Sequence, residues 1–408
     1  MKIFGQHDGK TIAQFEQVRA QAVDAALMAD GHVGYVMPIG GVAAYRDQVS
    51  VVGIGFDIAC GNAAIRTSMS LADLGGDPER VQKVLTGLAD EIADTVSFGI
   101  GLRNQAKDAP VTDPLFDDPA WDAVPEKYRK GLRVKARQQL GTVGSGNHYV
   151  DVFADERDAL WVGVHFGSRG FGHTVASGFL AMGQGKDWAG RVPERELLLN
   201  LKDPLGHDYW HLMNLAGRYA YVGREWVARK VVQLLGAQEL ELVHNHHNFA
   251  WRESHHGEEV IVVRKGATPA FPGQKGFIGG SMGDDAVIVQ GVQASNGDDL
   301  IATRQQQALY STVHGAGRVM SRTQAAGKRN RRTGKQLTPG LVSSEMMKSW
   351  LNEKGVILRG GWLDESPHAY RRLPDVLEAQ ERTVEVLHTL RPLVVVMAGP
   401  NEFDPYKD

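Results

Sequence analysis

Hydrophobic residues recur along this chain with two different periods. A helical period predicts helices over residues 12–27, 79–95 and 373–389, and one or two more over 207–235. Short apolar runs bounded by glycine or polar residues predict strands at 37–43, 49–53, 160–164, 240–243, 260–263, 286–289 and 392–396. This mixture favours an α/β fold. Because no repeat or clear linker divides the 408 residues, we expect one large domain over residues 1–408.

Candidate metal ligands lie where predicted strands end or where glycines accumulate. They are Asp57, Cys60, His148, His165 and one of His244, His246 and His247. Carboxylate, thiolate and imidazole donors together can bind one or two divalent ions, and the N and S donors favour zinc over manganese. Two points stay open here. A lone cysteine is more often a small buried apolar residue than a ligand, and the three neighbouring histidines are not distinguished.

A second candidate site lies in the stretch 311–322, where His314 is followed by Gly315, Gly317 and Arg318. Glycine permits the positive φ angles that direct successive N–H groups inward, and a guanidinium can bind phosphate oxygens through two hydrogen bonds. The pattern indicates a histidine placed against a phosphate. In isolation, such a pattern is more often a tight turn with a surface histidine.

Charge and composition restrict the classes of partner. With 45 Lys and Arg against 48 Asp and Glu, the net charge is −3, so a nucleic acid would have to bind a local basic patch. Residues 127–137 and 328–335 are the candidates. One cysteine permits no intrachain disulfide, and neither a signal-like N-terminus nor an apolar run of about 18 residues occurs. We therefore expect a cytoplasmic protein with no membrane partner.

Taken together, these motifs resemble the RtcB family of RNA ligases over nearly the whole chain. The matching stretches are residues 30–35, 38–41, 55–61, 144–148, 165–170, 247–248, 264–267, 280–283 and 311–322. The resemblance implies a single α/β domain with mixed sheets around a central metal and nucleotide cleft. It also implies an enzyme that uses GTP and two Mn²⁺ ions to join an RNA 3′-phosphate or 2′,3′-cyclic phosphate end to a 5′-hydroxyl end, in RNA repair or tRNA splicing.

The same resemblance implies a role for individual residues. The metal ligands would be Asp57, Cys60, His148, His165 and His247, with the Cys60 thiolate bridging both ions. His314 would attack the GTP α-phosphate and carry GMP as a phosphoramidate. The nucleotide would contact Asn147, His148, Asp151, His247, Asn248, Gly279, Gly280, Ser281, Met282, His314, Gly315, Ala316 and Gly317. RNA phosphates would face Arg169, Lys265, Arg318 and Arg322. The manganese preference of the family replaces the zinc that ligand chemistry favours, because metal supply and geometry can outweigh intrinsic affinity.

Three positions in the expected guanine pocket depart from the pattern of the family. Met397 stands where the family usually has a lysine, Ala286 where it has a serine, and Asp151 where it has a glutamate. Each lost hydrogen bond would cost about 0.5 to 3 kcal/mol of base discrimination. We therefore expect a weakened guanine preference or a different nucleotide. The segment 293–307 also diverges and would reshape the rim of the site.

Two alternative functions stay open at the level of sequence. A metal-dependent phosphoesterase would use the five metal ligands but would not need His314. A nucleic-acid 3′-end capping or binding protein would fit the altered base pocket, although the retained ligands argue against it. The sequence assigns neither the physiological RNA or DNA substrate, nor an activating partner, nor an oligomeric state.

Overall fold

The computed structural model describes residues 2–293, 299–329 and 336–399. Its strands are β1 (Lys2–Ile3), β2 (Asp24–His32), β3 (Ile39–Tyr45), β4 (Gln48–Ser50), β5 (Gly61–Ser70), β6 (Tyr149–Ala154), β7 (Ala159–Phe166), β8 (Leu198–Asn200), β9 (Glu239–His246), β10 (Asn248–His255), β11 (Glu258–Lys265), β12 (Ala267–Pro269), β13 (Lys275–Ile278), β14 (Ala286–Gly291), β15 (Ser311–Val313), β16 (Lys328–Arg329), β17 (Gln336–Thr338), β18 (Ile357–Arg359) and β19 (Val384–Met397). Its α-helices are α1 (Gly9–Arg19), α2 (Val51–Ile54), α3 (Pro78–Thr95), α4 (Glu126–Gln139), α5 (Arg169–Gly183), α6 (Pro204–Leu234), α7 (Asp299–Gln307), α8 (Arg322–Ala326), α9 (Ser344–Lys354) and α10 (Leu373–Ala379).

Two large sheets form the framework. The first has the strand order β1-β2-β3-β11-β10. The second has the order β13-β14-β19-β6-β7-β5-β9, with β18 paired alongside β19. Most neighbours are antiparallel, but β1 pairs in parallel with β2 and β18 with β19. The predicted α/β class with mixed sheets is confirmed.

The helices predicted over 79–95 and 207–235 are confirmed as α3 and α6. Two other helix predictions are wrong for half or more of their residues. The first helix ends at Arg19, and residues 24–27 belong to β2, where Ala25, Ala26 and Leu27 are all buried. A strand buried on both faces has no polar alternation, so its apolar run matched the helical period. Likewise α10 ends at Ala379, and residues 384–389 begin β19.

The register of the second sheet brings the ends of four strands to one edge. Gly61, the first residue of β5, pairs with Phe166 at the end of β7 and with His246 at the end of β9. Tyr149, the first residue of β6, pairs with His165. The residues that directly precede β5 and β6, the next-to-last residue of β7 and the residue that follows β9 therefore meet at the same place. Those residues are Cys60, His148, His165 and His247.

The short sheet of β12 and β15 brings His314 to this edge. Ala267 pairs with Val313, and its N–H donates a hydrogen bond of 3.1 Å to the carbonyl of His247. His314 follows β15 directly, so its ring comes within 4.8 Å of the His247 ring, centroid to centroid. Residues more than 60 positions apart in the sequence thus become neighbours through strand pairing.

Helix α6 packs behind the edge where these strands end. Its buried face carries Leu212, Ala216, Tyr219, Ala220 and the fully buried Arg224. Within the ranges 2–293, 299–329 and 336–399, no helix combines the length and apolar character needed to cross a membrane.

Candidate active site

Two groups of potential metal ligands share one sulfur atom. Asp57, Cys60 and His148 form the first group, and Cys60, His165 and His247 form the second; within each group the donor atoms lie within 4.8 Å of one another. The Cys60 Sγ atom is 3.2 Å from Nε2 of His165 and 3.7 Å from Nε2 of His148. This donor set fits divalent metal ions, and the shared sulfur lies where it could bridge two of them.

The loop that carries Cys60 is fixed on both sides. The N–H of Ala59 donates to the carbonyl of Asn248 at 2.7 Å, and the N–H of His247 donates to the carbonyl of Cys60 at 2.8 Å. Ser168 donates to the carbonyl of Ile58 through its N–H at 3.1 Å. Ala59 has a φ of +61°, an unusual conformation for a residue with a β-carbon. Strained backbone that its surroundings hold in place is common at functional sites.

A hydrogen bond to the backbone selects the ring nitrogen that His148 presents. Its Nδ1 lies 2.9 Å from the carbonyl of Val143, which can only accept, and 3.2 Å from Nη1 of Arg169, which can only donate; the shorter contact favours a proton on Nδ1. Nε2 then faces Cys60 and the Asp57 Oδ2 atom, which is 3.1 Å away. The backbone carbonyl therefore orients a potential ligand, as outer partners do at metal sites. The Nδ1 atom of His247 is buried and has no hydrogen-bond partner among the described residues, so a bound ligand could satisfy it.

Burial determines the charge of the ligand cluster. It lowers the pKa of both His165 and His247 well below the usual value, which keeps these rings neutral. For Asp57, burial alone would raise the pKa, but the neighbouring His148 and Arg169 outweigh it and lower the pKa to about 2. Burial and the Asp57 carboxylate raise the pKa of the Cys60 thiol. A bound cation would reverse this last effect, because metal binding displaces the thiol proton.

Arg224 explains why only one of the three neighbouring histidines faces the ligand cluster. Its Nε donates to Nε2 of His244 at 2.9 Å, and its Nη2 donates to Nδ1 of His246 at 2.8 Å. Since side chains alternate along β9, these two histidines share the face toward α6. His247, just beyond the strand, is on the other side. Arg224 also donates through Nη1 to the carbonyls of Ala59 at 2.8 Å and Phe166 at 2.6 Å, next to two potential ligands.

His314 is oriented by a buried carboxylate. Its Nδ1 lies 2.6 Å from the Oδ2 atom of Asp30, which also accepts the backbone N–H of His314 at 3.1 Å. Asp30 is fully buried, whereas the His314 side chain keeps 16% of its surface exposed. The backbone reaches this arrangement through Gly317, whose φ is +74°. A β-carbon there would lie 2.4 Å from the carbonyl oxygen of Asp30. Because Nδ1 of His314 pairs with Asp30, Nε2 remains free to react.

A cavity of about 300 Å³ joins His314 to the ligand cluster. Of the residues expected to contact a nucleotide, all line it: Asn147, His148, Asp151, His247, Asn248, Gly279, Gly280, Ser281, Met282, His314, Gly315, Ala316 and Gly317. The volume is at the lower end of the range for small-molecule sites. The turn from Gly279 to Met282 is closed by a hydrogen bond of 2.6 Å from Ser281 Oγ to Asp284 Oδ2.

One end of the cavity is apolar except for two buried oxygens without partners. Phe153, Val395 and Met397 contribute its apolar walls. The Oδ1 atom of Asp151 and the hydroxyl of Tyr149 are buried without a hydrogen-bond partner among the described residues. Burial raises the pKa of Asp151 well above its usual value. Ala286, which we grouped with Asp151 and Met397 from the sequence, does not line the cavity and packs into the core.

The four basic residues expected to face RNA phosphates differ in their surroundings. Arg169 has a φ of +56°, and its Nη1 lies 3.2 Å from Nδ1 of His148. Arg318 donates to Glu365 at 3.2 Å, to Tyr370 at 2.8 Å and to the carbonyl of Asp364 at 2.7 Å, so most of its donors serve the protein. Arg322 pairs with the same two acidic residues through Nη1.

Lys265 is the fourth of these residues, and it is buried. It is only 3% exposed and donates to the carbonyl of Val52 at 3.0 Å. Of the basic run at 328–335, residues 330–335 lie outside the described residues. The other basic patch, 127–137, lies on α4.

Comparison with known proteins identifies the family. The family model described as tRNA-splicing ligase RtcB matches residues 11–398. This chain belongs to the RtcB family. It is 31% identical over 396 residues to RNA-splicing ligase RtcB of Escherichia coli K12, covering 91% of this chain and 89% of that protein. It is 32% identical over 451 residues to tRNA-splicing ligase RtcB of Archaeoglobus fulgidus, with 91% and 87% covered.

Two residues that the sequence analysis did not assign complete this RtcB site. Asp30 orients His314, and Arg224 connects the loop of Cys60 to the ends of β7 and β9. A signal for Asp30 existed, because it opens one of the stretches that resemble the family. Arg224 lies in an apolar helical pattern with nothing in its sequence context to mark it.

Proposed function

We propose that this protein is a GTP- and manganese-dependent ligase that joins RNA 3′-phosphate or 2′,3′-cyclic phosphate ends to 5′-hydroxyl ends, in RNA repair or tRNA splicing. The observation that carries the proposal is the arrangement of two ligand groups with a shared Cys60 beside an Asp30-oriented His314. A metal cluster next to a histidine with one free ring nitrogen suits nucleotidyl transfer. Membership of the RtcB family supports the RNA-joining reaction.

His314 is the nucleophile of the first step. The Asp30 carboxylate accepts a hydrogen bond from the Nδ1–H group of His314, so the lone pair of Nε2 is free to attack the α-phosphorus of GTP. A P–N bond forms, the bond to the bridging oxygen breaks, and pyrophosphate leaves. The resulting histidine–GMP then transfers GMP to an RNA 3′-phosphate. Attack by the 5′-hydroxyl on this activated phosphate forms the RNA linkage, and GMP leaves. A 2′,3′-cyclic end is first hydrolysed to the 3′-phosphate.

Asp57, Cys60, His148, His165 and His247 would hold two Mn²⁺ ions. The ions, when bound, neutralise the charge of phosphate oxygens and of the leaving group. The protein contributes the orientation of its ligands: Val143 selects Nε2 of His148, and the backbone of Asn248 and His247 fixes the loop of Cys60. Arg322 lines the cavity, and Nη1 of Arg169 lies 3.2 Å from Nδ1 of His148, so both would position RNA phosphates without reading sequence. Arg318, which also lines the cavity, would face RNA phosphates as well, whereas the buried Lys265 would contribute its charge from behind the site.

The nucleotide base would occupy the apolar end of the cavity. A guanine-selective pocket needs groups that donate to O6 and N7 and accept from N1 and N2. Met397 offers no donor, and Asp151 provides a carboxyl group in the cavity lining. We therefore propose that guanine is only weakly preferred over other bases. Ala286 takes no part in this pocket.

A ligation assay distinguishes the ligase from a phosphoesterase and from a 3′-end capping or binding protein. The substrates are an RNA with a 3′-phosphate and an RNA with a 5′-hydroxyl, incubated with Mn²⁺ and each nucleoside triphosphate. The ligase predicts joined product for the wild type and none for His314→Ala. Removal of the phosphate by both proteins, without joining, would support the phosphoesterase. RNA binding without either reaction would support the capping or binding protein. His207→Ala, a surface histidine on α6, serves as the matched control.

A further inference from the structure

An exposed aromatic side chain lies at the tip of the β2–β3 hairpin, beside the ligand cluster. Tyr35 is 53% exposed, although it is a large ring on a short turn. Its centroid is 6.2 Å from that of Phe56, with the rings nearly perpendicular at 88°. Phe56 in turn lies 5.5 Å from the His173 ring, at 35°. Phe56, the middle ring of the three, directly precedes Asp57 in the chain, so the row passes beside a proposed metal ligand.

The hairpin tip is held in one conformation. Gln14 of α1 donates through Nε2 to the carbonyls of Gly34 at 3.0 Å and Tyr35 at 2.5 Å, and its Oε1 accepts the N–H of Gly34 at 3.0 Å. Gly34 has no room for a side chain, since a β-carbon would lie 2.4 Å from the carbonyl oxygen of Met37. A solvent-exposed ring on a fixed backbone loses little entropy when it binds a partner.

Basic residues lie near the row of rings. The Nζ atom of the buried Lys265 is 5.5 Å from the centroid of Tyr35, below the exposed surface. Lys135 of α4 reaches Thr174, the neighbour of His173, at 3.4 Å. Arg169 begins α5 four residues before His173. Aromatic rings for stacking together with cations for a phosphate backbone are the combination by which proteins bind single-stranded nucleic acid.

We propose that Tyr35, Phe56 and His173 form a stacking ledge for an unpaired nucleotide next to the RNA end that enters the ligand cluster. The proposal rests on the RNA-joining function proposed above. The ledge continues the site through Asp57, and its cations complement a polyanion, so its occupant is a single RNA strand. Stacking on rings does not depend on the identity of the base, which suits an enzyme that must accept many different ends.

Binding of a labelled single-stranded RNA with a 3′-phosphate, followed by fluorescence anisotropy, tests the ledge without requiring ligation. Tyr35→Ala should weaken binding by about 5- to 100-fold, the range that corresponds to the loss of one stacked base. Tyr35→Trp should retain binding. Val33→Ala, which shortens a 49% exposed side chain in the same turn, should change nothing. Transfer of nucleotide to His314 should proceed at the wild-type rate in all three variants, because that step involves no RNA.

RNAs that lack a base at one position near the end complete the test. The wild type should bind one of these RNAs more weakly than it binds the intact RNA. Tyr35→Ala should bind that RNA and the intact RNA with equal affinity. Equal affinity of Tyr35→Ala and wild type for the intact RNA would overturn the ledge. So would a parallel loss of nucleotide transfer in Tyr35→Ala, since the side chain would then shape the nucleotide site. If the wild type transfers no nucleotide but Tyr35→Ala still weakens RNA binding, the ligase fails and the ledge stands.

Discussion

The Nδ1 atom of His314 lies 2.6 Å from the Oδ2 atom of a fully buried Asp30. The carboxylate accepts from Nδ1, so it selects the ring form in which Nε2 carries the lone pair. An orienting carboxylate of this kind positions a histidine without contacting the reacting atoms.

Asp30→Asn should slow nucleotide transfer to His314 by about 10²- to 10⁴-fold, because the amide can donate to Nδ1 and stabilise the wrong ring form. The shape of the side chain is unchanged, so metal content and melting temperature should stay near the wild-type values. The rate is measured from the label retained on the protein after denaturation. A rate within twofold of the wild type would show that the pairing does not orient the nucleophile.

Cys60 belongs to both ligand groups, whereas His148 and His247 belong to one each. Cys60→Ala should therefore lower the manganese content of the protein more than either His148→Ala or His247→Ala. Metal analysis after dialysis measures this directly. A matched control is His246→Ala, which removes a buried histidine that faces Arg224. Equal metal loss from all three ligand variants would contradict a sulfur shared between two ions.

Arg224 makes four hydrogen bonds from a position that is completely buried. Burial lowers its pKa to about 10, so it stays charged at neutral pH. Arg224→Leu should reduce the free energy of unfolding by about 2 to 5 kcal/mol, because it leaves two buried carbonyl groups without donors. Arg224→Lys should reduce the free energy of unfolding by a smaller amount. Denaturant unfolding measures both variants, and Arg229→Leu, on the exposed face of α6, is the comparison. Equal stability of Arg224→Leu and wild type would contradict this structural role.

Met397 is the last residue of β19 and lines the apolar end of the cavity. Met397→Lys should add a donor there and increase the preference for GTP over ATP in nucleotide transfer. One added hydrogen bond of a charged group corresponds to about 1.5 to 3 kcal/mol, or roughly 10- to 150-fold. Met397→Leu should leave the preference unchanged. Strong selectivity for GTP in the wild type would contradict our interpretation of this pocket.

The sequence predicts which side chains form the site better than it predicts the strand pairings that bring them together. His165 was identified because a clear apolar strand ends at it. His247 was not separable from His244 and His246 by the residues alone, since the distinction depends on which face of β9 meets Arg224. The helix predicted over 373–389 was wrong beyond Ala379, because residues 384–389 pair with β14 as the first part of β19. Only the folded chain brings Asp30 to His314, 284 positions away.

The central claim is that His314 becomes covalently nucleotidylated. The most direct measurement is incubation of the protein with Mn²⁺ and α-labelled GTP or ATP, followed by denaturing electrophoresis of wild type and His314→Ala. We predict that the wild type retains the label and that the variant does not, while both bind the same amount of metal. Absence of label from metal-loaded wild type with every nucleotide, or equal labelling of His314→Ala, would contradict the account.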